Sequence, residues 1–269
     1  MTAAREQRLV FGEDADAYER ARPGYPSAAL DEITARLALP MPARVLEVGA
    51  GTGKWTRTLA AAGHEVVAVE PSEEMAAVAR RRVSPSERVR VEVASFEDVD
   101  LPAGAFDLVT AAQAWHWVDR DVALPKAQAA LGPEGGLALL WNFEVGPPPE
   151  LREALDTVYE ERAPSMIKEP LKVRVGDAIA DELAASPQFG PVARQELPWE
   201  REHTTASYLD LLGTHSDHRM LADDQRQCLH EGIAAAVDAH GGRFTVRYAT
   251  TLLIAARGGY PASQRASER

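Results

Sequence analysis

The sequence predicts an α/β fold, a parallel sheet wound with helices on both faces, and three observations carry that prediction. Short apolar runs alternate with helical stretches of about ten residues through the first half of the chain. One of those runs, VLEV at 45–48, passes straight into the glycine cluster GAGTG, after which a helical pattern begins. Two strand-like runs near the end are alike in type, and they predict an antiparallel edge.

Taken in order, residues 26–40 open the regular structure. Ser27 is placed to cap a helix whose Leu30, Ile33 and Leu37 share a face, and Pro40 with Pro42 closes it. ARVLEV at 43–48 reads as the first strand, followed by a helix to about Ala62 and the strand EVVAVE at 65–70. A helix with Met75, Val78 and Val83 precedes the strands VRVEVA at 89–94 and FDLVTAA at 106–112. A helix ending near Leu131 then leads to GLALLWN at 136–142. Gly63, Gly104 and GPEGG at 132–136 read as breaks between elements.

The pattern changes at GPPP, 146–149. Residues 150–186 read as mostly helical, and VARQELPWE at 192–200 and RFTVRYATTLLIAA at 243–256 read as strands around a helical stretch at 206–240. No repeat or long low-complexity linker divides the chain. The expectation is a single domain over 1–257 with an N-terminal cap at 8–26 and a helical lid insertion at 146–190, and a mobile tail at 258–269.

Composition narrows the function classes. The 269 residues carry 41 Asp plus Glu against 29 Lys plus Arg, a net charge of −12, which argues against a broad nucleic-acid footprint. Hydrophobic content of 45% and charged content of 26% exclude overall disorder. A single cysteine, Cys228, excludes an internal disulfide framework and a thiolate zinc cluster; its place before Leu229, Ile233 and Val237 predicts core packing. The start MTAAREQRLV has no apolar signal core, and no apolar stretch approaches the ~20 residues of a membrane span. A cytoplasmic protein with no membrane partner, monomeric or homodimeric, is expected.

The glycine loop carries the most specific chemistry. Gly49, Gly51 and Gly53 allow a tight turn and close approach to a ligand, with free amides at the helix start. A dinucleotide fingerprint needs its third glycine where Lys54 stands, and a P-loop needs Ser or Thr where Trp55 stands. At the end of the next strand, Glu70 is placed to accept both hydroxyls of a ribose. Ser72, Glu73 and Glu74 are explained as a helix start alone.

VLEVGAGTG, VVAVEPSEEM, VEVASFEDVDLP and FDLVTAAQAWHW, in that order and spacing, resemble the class I S-adenosylmethionine-dependent methyltransferases over roughly residues 8–145. FGEDADAYERARPGYP at 11–26 is similar to the N-terminal cap of small-molecule members, and AQAWHWVD is similar to the trans-aconitate methyltransferase-related subgroup. The resemblance implies a Rossmann-like, seven-stranded sheet and S-adenosylmethionine as cofactor. It places Glu47, Gly49, Ala50 and Gly51 at the methionine end, Glu70 at the ribose, Pro71 and Met75 against the adenine, and Ser95, Phe96 and Glu97 at the adenine edge. Many members carry Asp where Ser95 stands. Ala112 and Gln113 would lie beneath the methionine portion, with Tyr18 and Arg22 folded over the cofactor.

Methyl transfer from a sulfonium is an in-line displacement that depends mainly on alignment and a dry pocket. Trp115, His116 and Trp117 follow the fourth strand, where an open α/β sheet places its ligand crevice, and an aromatic wall suits a cationic donor. His116 is the candidate catalytic residue, as a base or as a group that orients the acceptor. Trp141, Asn142, Thr214, His215 and Ser216 are further candidates for the acceptor side. His215 and His218 flank Asp217 but point apart on a helix, so no metal is expected. The predicted activity is methylation of a small molecule, first at oxygen as hydroxyl or carboxylate. A non-catalytic protein that senses S-adenosylmethionine or its demethylated product, and a nicotinamide oxidoreductase on a similar sheet, are the rivals.

Overall fold

The structure, a computed structural model, describes residues 15–83, 87–166 and 175–258. The first part of the expected N-terminal cap, the middle of the 146–190 segment and all but the first residue of the expected tail lie outside the described residues. The elements run α1 (Ala15–Ala21), α2 (Ser27–Leu37), β1 (Arg44–Val48), α3 (Lys54–Ala61), β2 (Glu65–Glu70), α4 (Glu73–Val83), β3 (Val89–Val93) and β4 (Phe106–Ala112). Then follow α5 (Arg120–Ala130), β5 (Leu131–Gly146), α6 (Pro149–Arg162), α7 (Val175–Ala185) and β6 (Ala193–Thr204). The chain continues through α8 (Thr205–Gly213), α9 (Ser216–Arg219), α10 (Asp223–Ala239) and β7 (Arg243–Ala256).

The seven strands form one sheet in the order β3-β2-β1-β4-β5-β7-β6. β1 to β5 pair in parallel, and β7 runs antiparallel to both β5 and β6. The fold is thus the mixed, doubly wound sheet that the sequence predicts. Side-chain alternation shows why both faces need cover. Leu137, Leu139 and Trp141 enter one core with Ile179 and Leu183 of α7 and Ala123 and Ala127 of α5. Ala138 and Leu140 enter the other, against Ile33 of α2 and Trp55 and Leu59 of α3. A third cluster joins Leu151 and Leu155 of α6 to Tyr208 and Leu211 of α8, Ile233 of α10, and Phe244 and Tyr248 of β7. Of the segment expected to form the lid, α6 therefore packs with the later helices while α7 covers the sheet.

Three local expectations need correction. Ser27 is the first residue of α2 and caps nothing; Pro26 holds the extended N-cap position. GPEGG at 132–136 is not a break but part of β5, where the register slips so that Phe106 faces Leu131 and Leu108 faces Gly136. Cys228 is exposed, because α10 turns Leu229 and Ile233 inward and the thiol outward toward Arg162.

Candidate active site

A cavity of about 390 Å³ opens at the C-terminal ends of β1, β2, β4 and β5, where an open α/β sheet places its ligands. One half is built on the glycine loop. Gly49 has φ 68°, and a Cβ there would lie 2.4 Å from that of Ala114, so the loop fits under the β4 end only without a side chain. Gly51, at φ 57°, has no atom of the described residues beyond its chain neighbours within 4 Å of such a Cβ, and it lines the cavity. Its amide donates to Glu70 Oε2 (2.8 Å), and Glu70 Oε1 accepts from the Ser72 amide (2.9 Å). Glu47 is buried at the end of β1, and its Oε2 has no hydrogen-bond partner among the described residues. Burial, aided by the charge of Glu70, raises its carboxyl to about 8.

Helix α1 is clamped over this loop. Glu19, itself buried, accepts from the Thr52 hydroxyl (2.6 Å) and Arg57 (2.8 Å) and pairs with Lys54 (3.1 Å). Burial alone would raise the Glu19 carboxyl, but Thr52, Lys54 and Arg57 outweigh it and hold it below the usual glutamate value. Lys54 also donates to the Glu19 carbonyl. The clamp sets Tyr18 beside Met75, and both line the cavity.

The other half gathers from distant parts of the chain. Arg22 donates to the hydroxyl and the carbonyl of Thr214 (2.8 and 3.0 Å), tying the end of α1 to that of α8. Gln113 sits at φ 60°, a strained backbone for a non-glycine residue, and its amide side chain donates to the Asn142 carbonyl (2.9 Å). Asn142 in turn donates to the Gly24 carbonyl and accepts from Thr250. His116 holds Nδ1 3.3 Å from the indole nitrogen of Trp141, and the protein around the ring lowers its pKa to about 4. His215 is held still lower, at about 3, by burial and then by Arg22.

Most of the residues singled out in the sequence meet in this cavity: Tyr18, Arg22, Glu47, Gly49, Ala50, Gly51, Glu70, Pro71, Met75, Phe96, Glu97, Ala112, Gln113, His116, Trp117, Asn142 and His215. Five of those singled out do not line it: Ser95, Trp115, Trp141, Thr214 and Ser216. The Ser95 hydroxyl donates to Asp98 and accepts its amide, closing the turn after β3. Trp115 packs in the core against Phe96, with 5.9 Å between ring centres, so the expected aromatic wall reduces to Trp117. Trp141 is 1% exposed and reaches the site only through His116. Thr214 acts through Arg22.

Sequence reasoning missed Thr52, Lys54, Glu144, Leu211 and Tyr248, among others that line the cavity. Glu144 was within reach of the strand period: it lies two residues beyond Asn142, on the same side of β5. Tyr248 faces it across the β5–β7 register and stacks on Trp199 at 4.4 Å.

The described residues include no group of three or more metal-ligating side chains and no helix long and apolar enough to cross a membrane. A family profile described as methyltransferase domain matches residues 45–135. An uncharacterized methyltransferase of Mycobacterium tuberculosis is 35% identical over 216 residues, 79% of each chain. The chain belongs to the class I S-adenosylmethionine-dependent methyltransferases. This methyltransferase is also 29% identical to the demethylmenaquinone methyltransferase of Clavibacter sepedonicus, over 84% of its own length and 89% of the relative's. Its fold matches a structure described as a type II methyltransferase of Anaeromyxobacter dehalogenans, with a TM-score of 0.66, 24% identity and coverage of 87% and 97% of the two chains. Methyltransferases of this family use S-adenosylmethionine, which supplies an electrophilic methyl group on sulfonium sulfur.

Proposed function

We propose that this methyltransferase transfers its methyl group to oxygen, as hydroxyl or carboxylate, of a small molecule, and that it sits with the trans-aconitate methyltransferase-related subgroup that AQAWHWVD resembles. The carrying observation is the cavity. Its ~390 Å³ is in the range of sites that enclose one or two small ligands, not an open groove for a macromolecule. The residues of its first half fit the cofactor on their own chemistry: open space at Gly51, a buried carboxyl oxygen of Glu47 without a partner among the described residues, and Glu70 fixed by two amides. In this reading Glu47 and the Gly49–Gly51 backbone hold the methionine end, Glu70 the ribose, and Met75, Pro71, Phe96 and Glu97 the adenine. Ala112 and Gln113 lie beneath the methionine portion, while Tyr18 and Arg22 close over it. Trp117, Asn142, His215 and His116 face the acceptor, aligning it and keeping water out.

The test is a screen of hydroxylated, carboxylated and amine-bearing small molecules with S-adenosylmethionine, read by release of the demethylated cofactor and by product mass. Methylation at oxygen of a small molecule is the expected result. Turnover confined to nitrogen, carbon or a macromolecule would overturn the reading.

A further inference from the structure

We propose that Trp141 fixes His116 as a hydrogen-bond donor and that Glu144, not His116, receives the acceptor's proton. This rests on the oxygen-acceptor reading above and narrows it to a hydroxyl that arrives protonated.

An indole N–H only donates, so the 3.3 Å contact from Trp141 Nε1 occupies the lone pair of His116 Nδ1. A neutral imidazole with an accepting Nδ1 carries its proton on Nε2 and has no second lone pair. The ring is exposed on the cavity wall and the protein around it lowers its pKa from 6.5, so it is neutral at pH 7. Trp141 has little freedom to yield the contact, packed on the sheet face beside Leu139 and Ile179. His116 therefore offers the cavity an N–H and no proton acceptor. Trp141 is a positioning residue, acting through His116.

Of the carboxylates on the cavity wall, Glu70 is engaged by the amides of Gly51 and Ser72, and Glu97 by that of Asp119. Glu47 lies at the glycine-loop end of the cavity. Glu144 stands at the far end of β5, opposite Tyr248, with no hydrogen-bond or ion-pair partner for its carboxylate among the described residues. The charged and titratable groups facing it are Arg22 and Arg152, which favour its ionised form, and Tyr159, Tyr208 and Tyr248, whose ionisation its charge opposes. Glu144 is solvent-exposed where it lines the cavity, and the protein packed around it shifts its carboxyl upward from the ordinary value, which strengthens it as a base. His215 is a poor rival, with a pKa near 3 beside Arg22.

In the step, the acceptor oxygen forms its bond to the methyl carbon while the carbon–sulfur bond breaks, its electron pair passing to sulfur. The O–H bonding pair stays on oxygen, and the proton passes to a Glu144 carboxylate oxygen and then to solvent. The His116 N–H holds the same oxygen in line.

The full chain loaded with S-adenosylhomocysteine provides two readouts that need no acceptor. Nitrogen NMR of histidine-labelled protein is expected to show His116 neutral with Nε2 protonated, and Trp141→Phe is expected to release the second tautomer. A protonated Nδ1, or an imidazolium at pH 7, overturns the donor assignment. Infrared difference spectra between wild type and Glu144→Gln, titrated with acid, are expected to show this carboxyl taking up its proton above the ordinary glutamate range. A carboxyl ionised far below that range is a locked ion pair and overturns the base assignment. Failure of the acceptor screen above refutes the oxygen reading and leaves both spectra unchanged, so the two failures are distinct. With a hydroxyl acceptor in hand, Glu144→Gln is expected to lower kcat roughly 100-fold with KM little changed. An unchanged kcat overturns the proposal.

Discussion

The clamp of α1 onto the glycine loop makes a sharp prediction for Glu19→Ala. The carboxylate is 5% exposed and meets four groups: the Thr52 hydroxyl at 2.6 Å, Arg57 at 2.8 Å, Lys54 at 3.1 Å and Arg82 at 3.6 Å. Arg57 and Arg82 are 37% and 52% exposed, so solvent screens their pairs and they add little. Thr52 and Lys54, the latter 12% exposed, carry the loss, since truncation strands a hydroxyl and an enclosed ammonium. A hydrogen bond to a charged acceptor and one broken enclosed pair together give about 3 kcal/mol. For a chain of this size that lowers Tm by roughly 9 °C. Because α1 carries Tyr18 and leads into Arg22, affinity for S-adenosylmethionine should fall at least about tenfold by calorimetry, some 1.4 kcal/mol. The clamp also has a pH signature. The folded carboxyl titrates below the ordinary 4.5, so its contribution is complete above that value and is lost as pH falls through the folded pKa. Urea titrations at acid and neutral pH should show this component in the wild type and not in Glu19→Gln. A Glu19→Ala protein with unchanged Tm and unchanged cofactor affinity would refute the reasoning.

Gly51→Leu puts a branched side chain into the cavity at a left-handed backbone position; about 1–2 kcal/mol of stability and all measurable S-adenosylmethionine binding should go, as read by melting and calorimetry. Leu139→Ala, in the fully buried centre of β5, should cost about 2–5 kcal/mol in urea unfolding without altering the cavity wall. His64 is buried neutral, its Nδ1 accepting from the Ala43 amide (3.1 Å), and burial depresses its pKa. The unfolded state binds that proton first, so stability should decline as pH drops below 6.5, and His64→Gln should flatten that part of the profile.

How much of this was legible in the sequence depends on what each residue answers to. β1, β2 and β4 sit under helices on both faces, so they read as unbroken apolar runs and their bounds fell within a residue or so of those observed. GPEGG was misread because glycine punctuates loops far more often than it absorbs a register slip inside a strand. Most residues of the glycine-loop half follow from one loop, since Gly49, Gly51 and Glu70 are fixed by a turn and the end of the adjacent strand. The acceptor side was harder. Trp115 and Trp117 are two apart in a short 3-10 turn, and nothing local says that one enters the core while the other faces the cavity. Glu144, Leu211 and Tyr248 meet only because β7 returns beside β5, a pairing of high sequence separation that no local spacing announces.

That return has a consequence for how the enzyme comes into being. The glycine-loop half of the cavity draws on β1, β2 and β4, all within the first 112 residues of the chain. The wall facing it waits for Thr214 to hold Arg22, 192 positions away, and for Tyr248 to slot in near the end of synthesis. On the proposed reading, the residues that hold the methyl donor come mostly from the early part of the chain, and the wall that faces the acceptor is completed by its last strand.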